Sequence, residues 1–235
     1  MIATAFGDLV LQTDEAIPGP VLSALMAEMR IRPEATRVAL HRLRGEDWIT
    51  SEKAGRTSLH RLTAKGRRES AAAAQRIYRA PDALPTAWQA VLLETSTAHT
   101  KAQMAALGFA PLAARLYVGA ADRPCPKGSL PLAPGGVPPW VGTQFEPKDL
   151  AQGYADLHAR LTAIHGMPLD PTDLPPLHVA TLRCLIVHGW RRLVLRHPEL
   201  PRSLYSADWR GHACRALALE LLGRLERPDI GALQD

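Results

Sequence analysis

Arg37, His41 and Arg44 stand four and three residues apart within ATRVALHRLRGEDW, residues 35–48. Side chains at those spacings share one face of an α-helix. Guanidinium forks can bond guanine edges in the major groove of DNA, and imidazole can bond a base or a phosphate. A 100° helical wheel groups Glu34, Arg37, Val38, His41 and Arg44 on this face and puts Arg42 at its boundary. Ala35, Thr36, Ala39, Leu40 and Leu43 fall on the other face, which the wheel assigns to docking. Lys53 and Arg56 flank the turn KAGR, where a hairpin tip could meet phosphates or the minor groove.

The elements around these residues must hold such a helix clear of the interior. PVLSALMAEMR (20–30) aligns Val21, Leu22, Leu25, Met26 and Met29 in one stripe, behind Pro20 in a first helical turn. ATAFGDLVLQ (3–12) predicts an earlier helix that TDEAIPG breaks. Ile31, Arg32 and Pro33 form a tight connection to the basic helix, expected over about 34–46. WITSE (48–52) and TSLHRL (57–62) alternate like strands and predict a hairpin. Thr63 can cap a further helix that runs through Ala71–Ala74 to Tyr78. Helix, helix, tight turn, helix, hairpin, helix is the order of a winged helix-turn-helix.

Charge agrees with this placement. The chain of 235 residues carries a net charge of +5, but residues 30–80 alone hold thirteen Lys and Arg against five Asp and Glu. A positive field confined to that segment attracts polyanions, and nucleic acid is the usual one. An anionic membrane surface would need large apolar residues opposite the basic face, which this segment lacks.

After a linker at 80–86, AWQAVLLE (87–94), ARLYVGA (114–120) and WVGTQF (140–145) are strand-like, and TKAQMAALG (100–108) is helical. Residues 124–139 hold six prolines and are expected to be loop. From Pro147 onward apolar residues recur at helical spacing. The fold class expected is therefore α+β multidomain: a winged helix-turn-helix at 1–80, a ferredoxin-like domain at 87–146, and a helical effector and dimerisation domain at 147–235.

Other chemistries find less support. Cys125, Cys184 and Cys214 are odd in number, far apart and without a CxxC pair, which fits a reducing, cytoplasmic compartment. The first residues lack the pattern of a signal peptide, and no apolar run approaches the roughly 18 residues of a membrane span. No phosphate-cradling loop, G-x-S-x-G or HExxH occurs, and His158, His165, His178, His188 and His197 match no metal-ligand spacing. Glu94 and Asp122 are the acids near strand ends that a metal-dependent nuclease could use. No catalytic residue, resident cofactor or metal is expected.

ATRVALHRLRGEDWI, GRTSLHRLTAKG and RIY together resemble the N-terminal region of the phenylacetate-degradation repressor (PaaX) family. Ala35, Arg37, Ala39, Leu40, Arg42, Leu43 and Trp48 carry the first match, and Arg61, Leu62, Thr63 and Gly66 the second. AFGD (5–8) is similar to the family's first helix. GFAPLAARLYVG (108–119) resembles its middle domain, whose fold is similar to small CRISPR-associated nucleases. In 188–217 the residues His188, Arg191, Arg192, Pro198, Leu200, Pro201, Leu204, Asp208, Trp209 and Gly211 match its C-terminal signature. Asp47 stands where the pattern has Gly, His41 where it has a small polar residue, His197 for an acid and Ser206 for a proline.

The resemblance implies a cytoplasmic repressor of an aromatic or acyl-CoA catabolic operon, released from its operator by an aryl- or acyl-CoA such as phenylacetyl-CoA. A homodimer is expected because one short helix reads only a few base pairs of double-stranded DNA. Glu34, Arg37, Val38, His41, Arg42, Arg44, Lys53 and Arg56 are the DNA-facing candidates. His188, Arg191, Arg192, Asp208 and Trp209 are the effector candidates, with Arg suited to phosphate and Trp to an acyl or aryl wall. The alternatives are the nuclease built on Glu94 and Asp122, and a CoA-binding module without DNA binding.

Overall fold

The computed structural model of the chain describes residues 1–13, 15–133, 135–168 and 170–234. Helices mix with two small antiparallel sheets, as the α+β expectation requires. By packing, the chain divides into two units. One is Met1–Tyr78 with Arg160–Arg192 and Leu217–Asp235; the other is Arg79–Ala159 with Leu193–Ala216. The units are discontinuous, whereas the sequence reading divides the chain consecutively near 80, 87 and 146.

In the first unit, α1 (Ile2–Ala5) runs into a π-helical segment (Phe6–Val10). Next come α2 (Gly19–Glu28) and α3 (Pro33–Gly45), each with proline in its first turn. α2 buries Val21, Leu22, Leu25 and Met26 of its predicted stripe and leaves Met29 partly buried. Its end and that of α3 are built alike. The Ile31 N–H reaches the Met26 carbonyl at 2.9 Å, and the Arg30 N–H the Ala27 carbonyl at 2.8 Å. In α3, the Trp48 N–H reaches Leu43 at 2.8 Å and the Asp47 N–H reaches Arg44 at 3.0 Å. Both are Schellman caps, which put the residue after the cap in the left-handed region. Arg30 (φ 56°) and Asp47 (φ 55°) occupy it. The glycine of the family pattern at position 47 thus has a backbone reason, and Asp is among the few residues that tolerate the same conformation.

β2 (Ile49–Ala54) and β3 (Thr57–Leu62) form the expected hairpin, with Ala54 opposite Thr57 and Gly55 supplying φ +61° in the turn. The segment read as a break contributes β1 (Ile17–Pro18), which pairs with β3 and completes a sheet of order β1-β3-β2. Thr63 caps α4 (Ala64–Ile77): its Oγ1 accepts from the Gly66 N–H at 3.0 Å. Gly66 lies so close to the Trp48 carbonyl that a Cβ there would collide with it.

The interior of this unit gathers Phe6, Leu9, Ile17, Leu22, Leu25 and Trp48 with Ala180 and Cys184 of α8 (Pro176–Val194) and with Ile230 and Leu233 near the end of the chain. Within it Asp8 is fully buried and paired with Arg183 at 2.8 and 3.0 Å. Arg183 also donates to the carbonyls of Leu222 and Leu225 at the end of α9 (Gly211–Arg224), and the Tyr78 hydroxyl donates to Asp8 at 2.7 Å. Burial and the adjacent Asp8 carboxylate push the Tyr78 phenol upward, so it stays a donor.

The second unit holds β4 (Trp88–Leu93), α5 (Ala98–Ala106), β5 (Ala110–Pro111), β6 (Leu116–Ala120) and β7 (Ser129–Leu132). Its sheet order is β5-β6-β4-β7, with antiparallel neighbours throughout. Two expectations are corrected here. The proline-rich stretch contains β7, which lies at the sheet edge, where Pro131 loses no ladder bond that matters. WVGTQF is not a strand but lies in α6 (Pro139–Phe145), entered through Pro138 with Pro139 in the first turn. Val141 and Phe145 are buried four residues apart, a helical spacing that alternation had hidden.

α7 (Lys148–His165) supplies Tyr154 to an aromatic group in this unit. The Tyr205 ring stacks on Trp209 at 5.1 Å, and Tyr154 meets Trp209 edge-on at 4.8 Å. Buried Arg215 pairs with Glu199 at 2.7 Å, and Arg79 reaches the same carboxylate at 3.0 Å.

Removing one partner of the Asp8–Arg183 pair should be severe, because it leaves a buried charge uncompensated. Asp8→Ala is expected to cost about 3–5 kcal/mol in denaturant unfolding; a loss under about 1 kcal/mol, the range of exposed pairs, would show that the pair is solvated.

Candidate nucleic-acid interface

α3 presents its charged face to solvent. Glu34, Arg37, Val38, His41, Arg42 and Arg44 are all exposed, and Val38 at 69% is an apolar side chain held out among cations. The docking face is narrower than the wheel suggests. Thr36 and Leu43 are buried and Ala39 and Leu40 partly so, but Ala35 is exposed. The buried face centres on Thr36 and Leu43, and Ala35 lies roughly a quarter-turn from that centre.

One groove of about 710 Å³, walled by α2, α3 and β3, brings Arg37, Val38, His41, Arg44 and Arg56 together. Ser23, Thr57 and Ser58 add exposed hydroxyls to its walls, and the sequence reading did not single them out. Ser23 was legible as an outward position of the α2 stripe; Thr57 and Ser58 needed the hairpin register. Glu34, Arg42 and Lys53 are not among the groove's walls. Arg42 pairs with Glu46 at 3.6 Å, and Glu34 pairs with Arg37 at 3.2 Å. Both are exposed pairs, worth little in water and readily exchanged for a phosphate. Lys53 is exposed near the hairpin tip, opposite Ser58. His60, also in the groove wall, bonds Ser51 Oγ at 2.8 Å. Burial, and then the Arg44 guanidinium, lower its pKa, so it enters the groove as a neutral ring near neutral pH.

The residues expected to hold an effector lie in both units. His188 and Arg191, one turn apart on α8, both bond Thr4 Oγ1, at 3.1 and 3.3 Å. Burial, then the nearby terminal amine, Arg192 and Arg191, pull His188 down to about 4. Arg192 is exposed. In the second unit Asp208 is exposed, while Trp209 is buried against Tyr205 and Tyr154. The family departures in this region have local partners. Ser206 gives its N–H and its hydroxyl to Glu146 at 2.5 and 2.8 Å, and a proline there would lose the first. His197 bonds the Tyr154 hydroxyl and the Pro198 carbonyl.

Glu94 and Asp122 do not meet. Leu92 pairs with Leu116 and Trp88 with Ala120, so Glu94 follows one end of the β4–β6 pair and Asp122 the other. Strand rise over that span is roughly 13 Å or more, too far for two acids to share a metal. Among the described residues no cluster of three or more His, Cys, Asp or Glu could hold a metal ion, and no helix is long and apolar enough to cross a membrane.

A small α+β body that exposes a cationic helix beside a cationic hairpin has the surface of a polyanion-binding protein. Comparison with known proteins narrows the class. Residues 1–66 match the family model described as PaaX-like protein, and residues 145–229 match that of the PaaX-like protein C-terminal domain. The transcriptional repressor PaaX of Escherichia coli (strain K12) is 30% identical over 251 residues, which cover 96% of this chain and 79% of that protein. The chain belongs to the PaaX family.

Proposed function

We propose that the protein is a DNA-binding transcriptional repressor of an aromatic or acyl-CoA catabolic operon, and a regulator rather than an enzyme. The observation that carries the reading is the convergence of Arg37, Val38, His41, Arg44 and Arg56 on one groove of the first unit. A relative that covers nearly the whole chain bears the name of a transcriptional repressor. In this reading α2, α3 and the β2–β3 hairpin are a winged helix-turn-helix, with α3 in the major groove and Arg56 at a flanking backbone. The four-stranded sheet with α5 is a ferredoxin-like domain whose second helix is replaced by a loop between β6 and β7. The protein acts in the cytoplasm as a homodimer on a two-fold operator, and an aryl- or acyl-CoA binds it and releases DNA. His188, Arg191, Arg192, Asp208 and Trp209 remain the effector candidates. Differential affinity for the two arrangements of the dimer is what such an effector must supply.

Gel-shift titration on DNA upstream of the protein's own gene tests the DNA contacts. Arg37→Ala and Arg56→Ala should each weaken binding, and a lost phosphate contact should reduce the salt slope by about 1. Unchanged affinity in both variants would remove α3 and the wing from the interface. Phenylacetyl-CoA added to the same complex should release the DNA; retention with it and with other CoA thioesters would rule this effector class out.

Val38 supplies a second readout. An apolar side chain among base-facing cations suits the C5-methyl group of thymine. DNA prepared with deoxyuridine in place of thymidine should bind the wild type more weakly, while Val38→Ala should bind the two DNAs alike. Equal binding of both DNAs by the wild type would leave Val38 outside the base-reading set.

A further inference from the structure

We propose that a cavity of about 160 Å³ in the first unit is a binding site for a small organic monocarboxylate with a ring-sized apolar body. The site goes beyond the function proposed above and does not depend on DNA binding. It lies among α1 with its π-helical continuation, α4, α8 and the Trp48 side chain. A designed apolar cavity of about 150 Å³ accepts benzene, so the space suits a six-membered ring. It is far too small for a nucleotide-bearing thioester, so its ligand differs from the effector, although the two readings share Arg191.

The walls divide by chemistry. Gly7, Ala73, Ala74 and Ile77 make an apolar side, and a Cβ built on Gly7 would meet nothing within 4 Å. The space there is open and not enforced by crowding. Two polar groups on the lining have bonding capacity left over. Ser70 is 7% exposed, and its Oγ is buried with no hydrogen-bond partner. Arg191 is half-buried, and among the described residues it donates to Thr4 Oγ1 at 3.3 Å. Among the described residues no carboxylate lies within ion-pair distance of it. Burial lowers its pKa, the direction expected of a cation without a counter-charge. Buried charges are ordinarily paired, and a guanidinium fork matches a carboxylate in two parallel bonds.

Charge sets the ligand class further. Glu69 also borders the cavity, exposed and holding the Trp48 Nε1–H at 3.1 Å. That fixed negative charge tolerates a monoanion and opposes phosphate or a dicarboxylate. Arg191 is the cation on the lining, since neighbouring His188 stays neutral near neutral pH. The ligand's carboxylate therefore sits on Arg191, and its ring against Ala73, Ala74 and Ile77.

The Trp48 indole N–H reports occupancy in a ¹H–¹⁵N spectrum of the full chain, assigned by its loss in Trp48→Phe. Titration with sodium benzoate should move this resonance saturably. Benzyl alcohol, of similar size but uncharged, should bind at least about tenfold more weakly, and Arg191→Gln should bring benzoate down to the level of the alcohol. Ala74→Leu, or the milder Ala73→Val should that variant not fold, should remove the response by filling the cavity. No saturable shift with benzoate, alcohol binding equal to benzoate, or a benzoate response unchanged in Arg191→Gln would each overturn the proposal.

Discussion

A carboxylate and a guanidinium buried together demand geometry, because neither can return to water and each must have its hydrogen bonds met. Asp8 and Arg183 impose that demand on the first unit. Asp8 takes two bonds from Arg183 and one from Tyr78, and Arg183 Nη1 gives two bonds to the carbonyls of Leu222 and Leu225 at the end of α9. A cation is favoured at a helix C-terminus for the same reason that those carbonyls lack partners. The π-helical segment, the end of α4, α8 and the end of α9 are thereby fixed to one point. The nearby Cys184 thiol is pushed upward by its burial and stays an inert packing group.

From that point the geometry passes along α4 to the surface that faces outward. The start of α4 is tied to the end of α3: Thr63 Oγ1 donates to the Asp47 carbonyl at 2.7 Å, and the Thr63 N–H to the Trp48 carbonyl at 3.1 Å. Gly66 lets the two backbones approach, and the Trp48 ring packs edge-on to Phe6 at 6.5 Å. α3 and the hairpin therefore hang from Trp48, between a buried side and a basic side. Arg37 and Arg42 find acids on their own surface, Glu34 and Glu46, and α3 takes its position from backbone caps and from one indole.

Much of this was readable because it is local. The α2 stripe, the Thr63 cap, the turn at Gly55 and the charged face of α3 are each written within a few residues, and α3 and its hairpin appear where those signals place them. The glycine-to-aspartate departure at position 47 became intelligible only with its backbone angle. What stayed hidden depends on distant pairing. β1 is two residues long and exists through β3. Alternation in WVGTQF suggested a strand, but its burial follows a helix begun by two prolines. The partnership of Asp8 with Arg183 spans 175 residues and left no periodic trace. The effector candidates, chosen from one stretch of sequence, prove to belong to two packing units. Thr4, which holds two of them, lies at the other end of the chain.

The same separation sets a schedule. Ribosomes add about 5–20 residues per second, so roughly 10–35 seconds pass between the synthesis of Asp8 and that of Arg183. Through that interval the nascent basic segment has an acid destined for its interior and no base to meet it. Cys184, Ile230 and Leu233, which close the same interior, emerge later still. A nascent chain cut short in this window would carry the basic helix without the interior that orients it.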